Sequence, residues 1–381
     1  MFRLANYTKV RPVIKEDYKA LARFLAKETD GVFQECFWLD RFQYWWDSNP
    51  VMSENICRGW ILYGGDREVG GFFGNIPIKY IINGEEKIVC SPTSWYVAED
   101  FKKRSLELLS PFLKQNRPLL DTTPSEKVAN MLVRLGFRNL EQEWLIKEAI
   151  YPVRVIGFWN FFINRAVTRK SMLFLLKIAG LFVLPSIKIF QKIHELQLPA
   201  VDRKYTIKEI QKFDNSYSSL WDKLKTKYSI MAVRNEAALN WFFFGSRDLL
   251  SSRRVIEIKV GETLIGYIAV KLVVSKLKGK SYHYFEVVDM AIIEGEESAY
   301  FALLKGLLWL VKKSEKKALF IRIRPFDKTI EDCLRRFGFF WHKGKWGFLF
   351  RDFGENNPEI GERLQHSFYA TPLDGDRCYF P

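Results

Sequence analysis

Polar and apolar positions run through the same succession of periods twice. In the first half, residues 7–13 alternate as a strand does, and residues 15–27 place Tyr18, Leu21, Ala22 and Leu25 on one helical face. Residues 38–47 predict a second helix, stopped by Asn49-Pro50. Residues 59–63, 68–82 and 87–97 read as three antiparallel strands, joined by turns at Gly64-Gly65-Asp66 and Asn83-Gly84-Glu85. A helix over 101–115, a short buried strand over 118–122, a helix over 125–135 and a closing strand over 144–150 complete the set. The second half repeats the order. It reads as a strand over 205–210, a helix over 210–224, an aromatic helix over 236–244 and strands over 254–260, 263–274 and 281–291. A helix over 299–313, a strand over 318–323, a helix over 329–337 and a strand over 346–350 follow.

Landmarks in the two halves keep a nearly fixed offset. It is 241 − 46 = 195 between Trp46 and Trp241, 266 − 71 = 195 between Gly71 and Gly266, and 338 − 136 = 202 between Gly136 and Gly338. That constancy predicts a duplicated module of about half the chain. The expected organisation is a domain over 1–150, a basic amphipathic helical linker over 151–200, and a domain with a C-terminal tail over 201–381. The fold class is α/β, each module a mixed sheet with helices. Trp45, Trp46, Trp241 and Phe242–Phe244 read as core staples of the modules or, alternatively, as an aromatic wall for a ring-bearing acceptor.

Charge changes this picture in one place. The chain carries 59 basic and 44 acidic residues, a net +15, which suggests a polyanionic partner or surface. Between residues 151 and 195 stand Arg154, Arg165, Arg169, Lys170, Lys177, Lys188 and Lys192 against Glu195 alone. Lysines interrupt the apolar run too often for a spanning helix, and Pro185 is expected to kink one. Lys170, Lys177 and Lys188 share one helical stripe, which suits a helix lying on an anionic bilayer; an inter-domain connector packed on both modules is the plainer alternative. Five scattered cysteines without a CxxC pair argue against a zinc site or a disulfide framework. With no signal-peptide pattern at the start, the expectation is a cytoplasmic protein, peripheral at the inner membrane face.

The order of elements and the segment Ala129-Asn130-Met131-Leu132-Val133-Arg134-Leu135-Gly136-Phe137 resemble the GNAT acyltransferase superfamily, whose corresponding helix reads A-x-x-L-Y-x-K-x-G-F. The stretch from Leu319-Phe320-Ile321 to Gly338-Phe339 resembles the same region more loosely. A tandem arrangement is similar to acyltransferases of bacterial envelope and polysaccharide biosynthesis, including the Fem-type members. The resemblance implies two tandem GNAT-like domains that use acetyl-CoA or another acyl-CoA, with no metal. It also implies that the CoA pyrophosphate sits at the helix start after the fourth strand, where free N–H groups and the helix dipole favour an anion. There the first module reads Val97-Ala98-Glu99-Asp100-Phe101-Lys102-Lys103-Arg104-Ser105, which supplies cations but lacks the family's two glycines. The second module reads Glu294-Gly295-Glu296-Glu297-Ser298, whose carboxylates would repel a pyrophosphate.

Val97, Lys102, Lys103, Arg104 and Ser105 are therefore the expected donor-binding residues, joined by Asp121 and Thr122 at the end of the fifth strand. An acceptor amine or hydroxyl must lose a proton, so Glu99, Glu35 and Asp40 are the candidate bases by placement. The family's tyrosine acid falls at Leu132 and Leu334, both apolar. His283 and Glu286 are three apart on a strand and face opposite sides. The resulting expectation is transfer of an acyl group from acyl-CoA to an amine or hydroxyl of a sugar or cell-envelope precursor. A non-catalytic, membrane-docked scaffold or sensor is one alternative. An aminoacyl-tRNA-dependent transferase is another, although the chain lacks a basic-aromatic stacking motif and nucleic acid is not the expected partner.

Overall fold

The computed structural model describes residues 9–64, 68–140, 146–167, 170–246, 251–344, 347–352 and 368–375. Gly65 and Asp66 of the first expected turn, Trp144, Arg169, Trp346, His366 and Cys378 lie outside the described residues. Two mixed sheets with flanking helices make this an α/β protein. The first sheet runs β1 (Lys9–Pro12), β2 (Gly59–Tyr63), β3 (Val69–Ile82), β4 (Glu85–Val97), β5 (Leu119–Asp121), β15 (Leu349–Arg351) and β6 (Arg138–Asn139). The second runs β14 (Phe340–Lys343), β7 (Lys147–Pro152), β13 (Phe320–Ile323), β12 (Lys280–Ile292), β11 (Thr263–Leu277), β10 (Arg253–Val260) and β8 (Tyr205–Ile210). The long β3–β4 hairpin turns through Asn83 at φ 52° and Gly84 at φ 85°. Two successive left-handed residues are what a tight hairpin requires, and Asn-Gly supplies them with least strain.

The sheets exchange their closing strands. The strand expected to finish the first module, described here as Lys147–Pro152, lies antiparallel between β13 and β14 of the second sheet. In return β15, from the end of the chain, sits between β5 and β6 of the first. Period-two alternation marks a segment as a strand but says nothing of its partner, and the partner here is set by packing. Two ion pairs accompany the exchange: Arg324 Nη2 bonds Glu148 Oε1 at 2.5 Å, and Lys147 Nζ lies 3.2 Å from Glu331 Oε1. Burial opposes ionisation of Glu148, but Arg324 and Arg322 outweigh it and hold its carboxyl below the usual range.

A further strand crosses between halves. β9 (Ile230–Ala232) pairs with the far end of β3, so the second half extends the first sheet. The two aromatic segments meet at the same junction. Helix α2 (Glu35–Phe42) continues into a π-helical turn, Gln43–Asp47, and α8 (Glu236–Phe244) packs against it. Trp241 Nε1 donates to Tyr44 O at 2.8 Å, Tyr44 Oη donates to Phe242 O at 3.2 Å, and the Tyr44 and Trp241 rings stand 5.3 Å apart. Trp45, Trp46, Trp241, Phe242 and Phe243 are buried in one core that spans both sheets. These residues are staples, and what they staple is one half to the other. The linker forms α5 (Val155–Ala166) and α6 (Lys170–Gln197), the latter helical through Pro185.

Candidate functional site

Parallel strands β4 and β5 share a single paired position, Cys90 with Leu119, and then part. From Ser91 to Val97, β4 has no partner on β5, so a notch opens toward the C-terminal ends of the strands. Opposite it, the β3–β4 register passes from Gly74↔Thr93 to Phe72↔Tyr96, leaving Ser94 and Trp95 as a bulge with Ser94 at φ 51°. A bulge re-aims backbone groups at a strand end, here into the notch. Glycine makes the close approach feasible, because a Cβ on Gly74 would lie 2.7 Å from Thr93 Cγ2 and 3.0 Å from Thr93 O.

The notch holds a cavity of about 160 Å³. Its apolar wall is Phe73, Trp95, Leu109, Phe112, Val128 and Leu132, and its polar rim includes Thr93, Ser94, Asp121, Thr123 and Ser125. Leu109 and Phe112 come from α3 (Ser105–Leu113); Val128 and Leu132 come from α4 (Glu126–Arg134), which Ser125 caps by accepting from Val128 N at 3.4 Å. Trp95 has a buried indole N–H with no partner among the described residues. Such a group normally finds an acceptor or a water, so the notch carries a donor that no sequence pattern revealed. Cys90, below the notch, is no nucleophile: burial pushes its thiol up to about 11, which keeps it protonated at neutral pH.

The expected site residues divide. Asp121 and Thr122 are buried at the end of β5; Asp121 lines the cavity and its Oδ1 accepts from Thr123 N at 3.2 Å. Val97 ends β4, paired with Gly71. Glu99 to Arg104 form a 3-10 turn that leads into Ser105 at the start of α3. Phe101 anchors this turn over Gly70, where any Cβ would come within 2.7 Å of its ring. Lys102 is paired with exposed Glu99, Arg104 Nη2 with Glu107 Oε2 at 2.6 Å, and Lys103 is exposed. Glu35 and Asp40 stand exposed on α2, Glu35 with Arg23 at 3.9 Å. Trp38 of that helix meets Tyr96 edge-on, so α2 covers the face of β4 opposite Trp95, and neither carboxylate lines the cavity.

The second half opens the same way and is then closed by its own chain. β12 and β13 pair only at Phe285↔Ile321 and Glu286↔Arg322, and the β11–β12 register also shifts, after Val270 pairs with Val287. Into the gap beyond comes the tail. Tyr369 Oη donates to Met290 O, and its ring packs on Tyr228 and Phe326. Beneath it Arg234, fully buried, places Nε 3.0 Å from Asp289 Oδ2 and Nη2 3.2 Å from Asp374 Oδ2. Tyr267 Oη donates to Asp289 at 2.5 Å, and Tyr80 Oη, from the first sheet, donates to Asp374 at 3.2 Å. At the adjoining helix start, Glu296 is bound by Lys204 Nζ at 2.9 Å and Tyr205 Oη at 2.7 Å. The tail then leads to the first notch, where a Cβ on Gly375 would lie 3.0 Å from Thr122 Oγ1.

No family model and no curated protein matches the chain. Its architecture does match solved structures. It is similar to Saccharomyces cerevisiae N-myristoyltransferase with bound myristoyl-CoA at 10% identity and a TM-score of 0.56, over 97% of this chain and 86% of that one. It is similar to a GCN5-related N-acetyltransferase from Anabaena variabilis at 9% identity and a TM-score of 0.56, over 91% of this chain and 72% of that one. A probable N-acyltransferase from Enterococcus faecalis gives 11% identity and a TM-score of 0.53, over the same shares of 91% and 72%. At such identities the likeness speaks for architecture: the chain has a GNAT-like fold built from two mixed sheets.

Proposed function

We propose that this protein transfers an acyl group from acyl-CoA to an amine or hydroxyl of a sugar or cell-envelope precursor, at the first notch only. The observation that carries the reading is the asymmetry of the two notches. One holds a cavity with an unpaired indole N–H, and the other is filled by residues 368–375. The thioester lies in the first notch with its carbonyl oxygen toward the bulge at Ser94–Trp95, whose N–H groups polarise it. The CoA phosphates extend past Val97 to the start of α3, where Ser105, Lys103 and, once freed from its pairing with Glu99, Lys102 meet them beside Arg104. Attack by the acceptor's nitrogen or oxygen breaks the C–S bond, the departing CoA sulfur takes up a proton, and the acceptor gives up its own. Asp121, with Thr122, holds the acceptor through hydrogen bonds. Positioning supplies most of the acceleration.

A second reading is favoured by Leu132, which lines the cavity where the resembling family carries a tyrosine acid. In it the notch binds acyl-CoA without turnover and the protein is a sensor or scaffold. Calorimetry with acetyl-CoA and longer acyl-CoAs, together with release of free CoA thiol, separates the two. Saturable binding lost on Lys102→Glu with Lys103→Glu, plus thiol release with an amino-sugar acceptor, supports transfer. Binding without release selects the sensor, and no binding of any acyl-CoA defeats both.

A further inference from the structure

Helix α6 spans 28 residues, about 42 Å at 1.5 Å per residue, and so exceeds the roughly 30 Å core of a bilayer. Against the expectation drawn from its lysines, its segment Ser171–Gln197 is apolar enough to cross a membrane by length and composition, and the 18-residue window that passes is only 11% buried. Two sets of contacts argue against crossing. In the second half of the helix, Gln191 Nε2 donates to Pro152 O at 2.7 Å, Phe190 lies 5.0 Å from the Phe340 ring, and His194 Nδ1 is 3.0 Å from Arg336 O. In the first half, Trp159 of α5 donates to Leu176 O at 3.2 Å and sits over Gly180, where a Cβ would come within 2.7 Å of its Nε1. α5 in turn packs Phe161 on Tyr282 and Phe320 of the second sheet. Both halves of α6 are thus held along one side of one folded body.

The face turned away from that body is apolar throughout. At 100° per residue, Ile178, Phe182, Ile189, Ile193 and Leu196 fall within about 60° of one another, and each is between 44% and 75% exposed. Lys177, Lys188 and Lys192 follow one border of this stripe and are exposed, with Glu195, paired to Lys192 Nζ at 3.1 Å, the one acidic residue among them. At the far end of α5, Lys278 Nζ bonds Val167 O at 2.9 Å, which brings the β11–β12 hairpin tip and its Lys276 and Lys280 beside the linker. An apolar stripe bordered by cations matches an anionic lipid surface, in which acyl chains lie beneath a layer of phosphates.

We propose that α6 is a monotopic membrane anchor. It lies in the plane of an anionic phospholipid surface with the Ile178–Leu196 stripe in the acyl boundary, the lysines on the lipid phosphates and the hairpin tip as a second contact. Docking in this manner is independent of acyl transfer. The test is sedimentation of the full chain with vesicles of phosphatidylglycerol and phosphatidylcholine, against phosphatidylcholine alone. Binding should require phosphatidylglycerol, fall roughly fivefold for each of Lys177, Lys188 and Lys192 changed to Gln, and vanish in Phe182→Asp with Ile189→Asp. These positions are exposed, so circular dichroism of the variants should match the parent. Alkaline carbonate should release the bound protein. Absence of binding overturns the proposal, as does retention in carbonate, the mark of a spanning helix. A lipid-free dimer abolished by Phe182→Asp with Ile189→Asp overturns it too, because the stripe would then cover a second copy.

Discussion

Replacing Arg234 by Met tests whether the tail truly closes the second notch. The guanidinium is fully buried and bonded to Asp289, Asp374, Thr371 and Ala232 O, the last at 2.7 Å. Methionine fills much of the volume but leaves two buried carboxylates facing one another. Breaking a buried pair in this way costs about 3–5 kcal/mol. Unfolding entropy of about 2.1 cal/mol/K per residue over 381 residues gives roughly 0.8 kcal/mol/K, so the melting temperature should fall by roughly 4–6 °C at pH 8. The loss should depend on pH with a definite sign. Burial already raises the Asp374 carboxyl above its ordinary value of 3.8, and Arg234 restrains that rise. Without Arg234 the folded value climbs further above the unfolded one. The penalty is then complete above the folded value and shrinks as pH falls toward 3.8, so the gap to the parent should narrow as pH is lowered from 8 toward 4. Scanning calorimetry across that range checks both points, and adding Asp374→Asn to Arg234→Met should recover part of the loss at pH 8. A variant that melts with the parent, or a gap that does not move with pH, refutes the buried-pin reading.

Leu109→Trp should fill the first cavity and abolish acyl-CoA binding in calorimetry while leaving the circular dichroism spectrum unchanged. Trp95→Phe removes an N–H that the protein itself leaves unpaired, so acyl-CoA affinity should drop by about 1 kcal/mol with little change in melting temperature. Asp17 accepts from Arg11 at 2.7 Å and from Ile14 N at 2.9 Å, and although burial opposes its ionisation these bonds hold its carboxyl below 3.8. Its contribution is present above 3.8 and lost as pH falls through the folded value, so Asp17→Asn should destabilise the protein by about 1.5–3 kcal/mol at pH 7, and the gap to the parent should shrink as pH falls below 3.8 in denaturant titrations. Strand exchange predicts that 1–200 and 201–381, produced separately, are insoluble, and that they co-purify as a soluble pair when produced together.

Local rules made the repeat legible because each element carries its own period and its own stops. Asn83-Gly84 fixes the β3–β4 hairpin by backbone conformation alone, and Leu119–Asp121 is short and wholly buried, as its apolar run implied. The carboxylates after β12 were legible as an acidic helix start, and in the structure one of them, Glu296, is engaged by Lys204 and Tyr205. What stayed hidden was tertiary. Nothing in Lys147–Pro152 says that its neighbours are β13 and β14, and nothing in Thr371–Asp374 says that it meets Arg234. The bulge at Ser94–Trp95 depends on register, which no single strand reveals. The candidate bases Glu35 and Asp40 were chosen for proximity in sequence to the aromatic helix. That helix covers the other face of β4, and this single inversion removes both from the cavity.

In the proposed function acyl-CoA enters one notch, open in the first half, while the tail fills the other. Photolabelling the full chain with a diazirine-bearing acyl-CoA and mapping the adducts by mass spectrometry tests it most directly. One adduct per chain is expected, within Pro92–Trp95, Leu109–Phe112 or Val128–Leu132, suppressed by excess acyl-CoA and absent in Leu109→Trp. Saturable labelling within residues 287–298, or two competed adducts per chain, would contradict it.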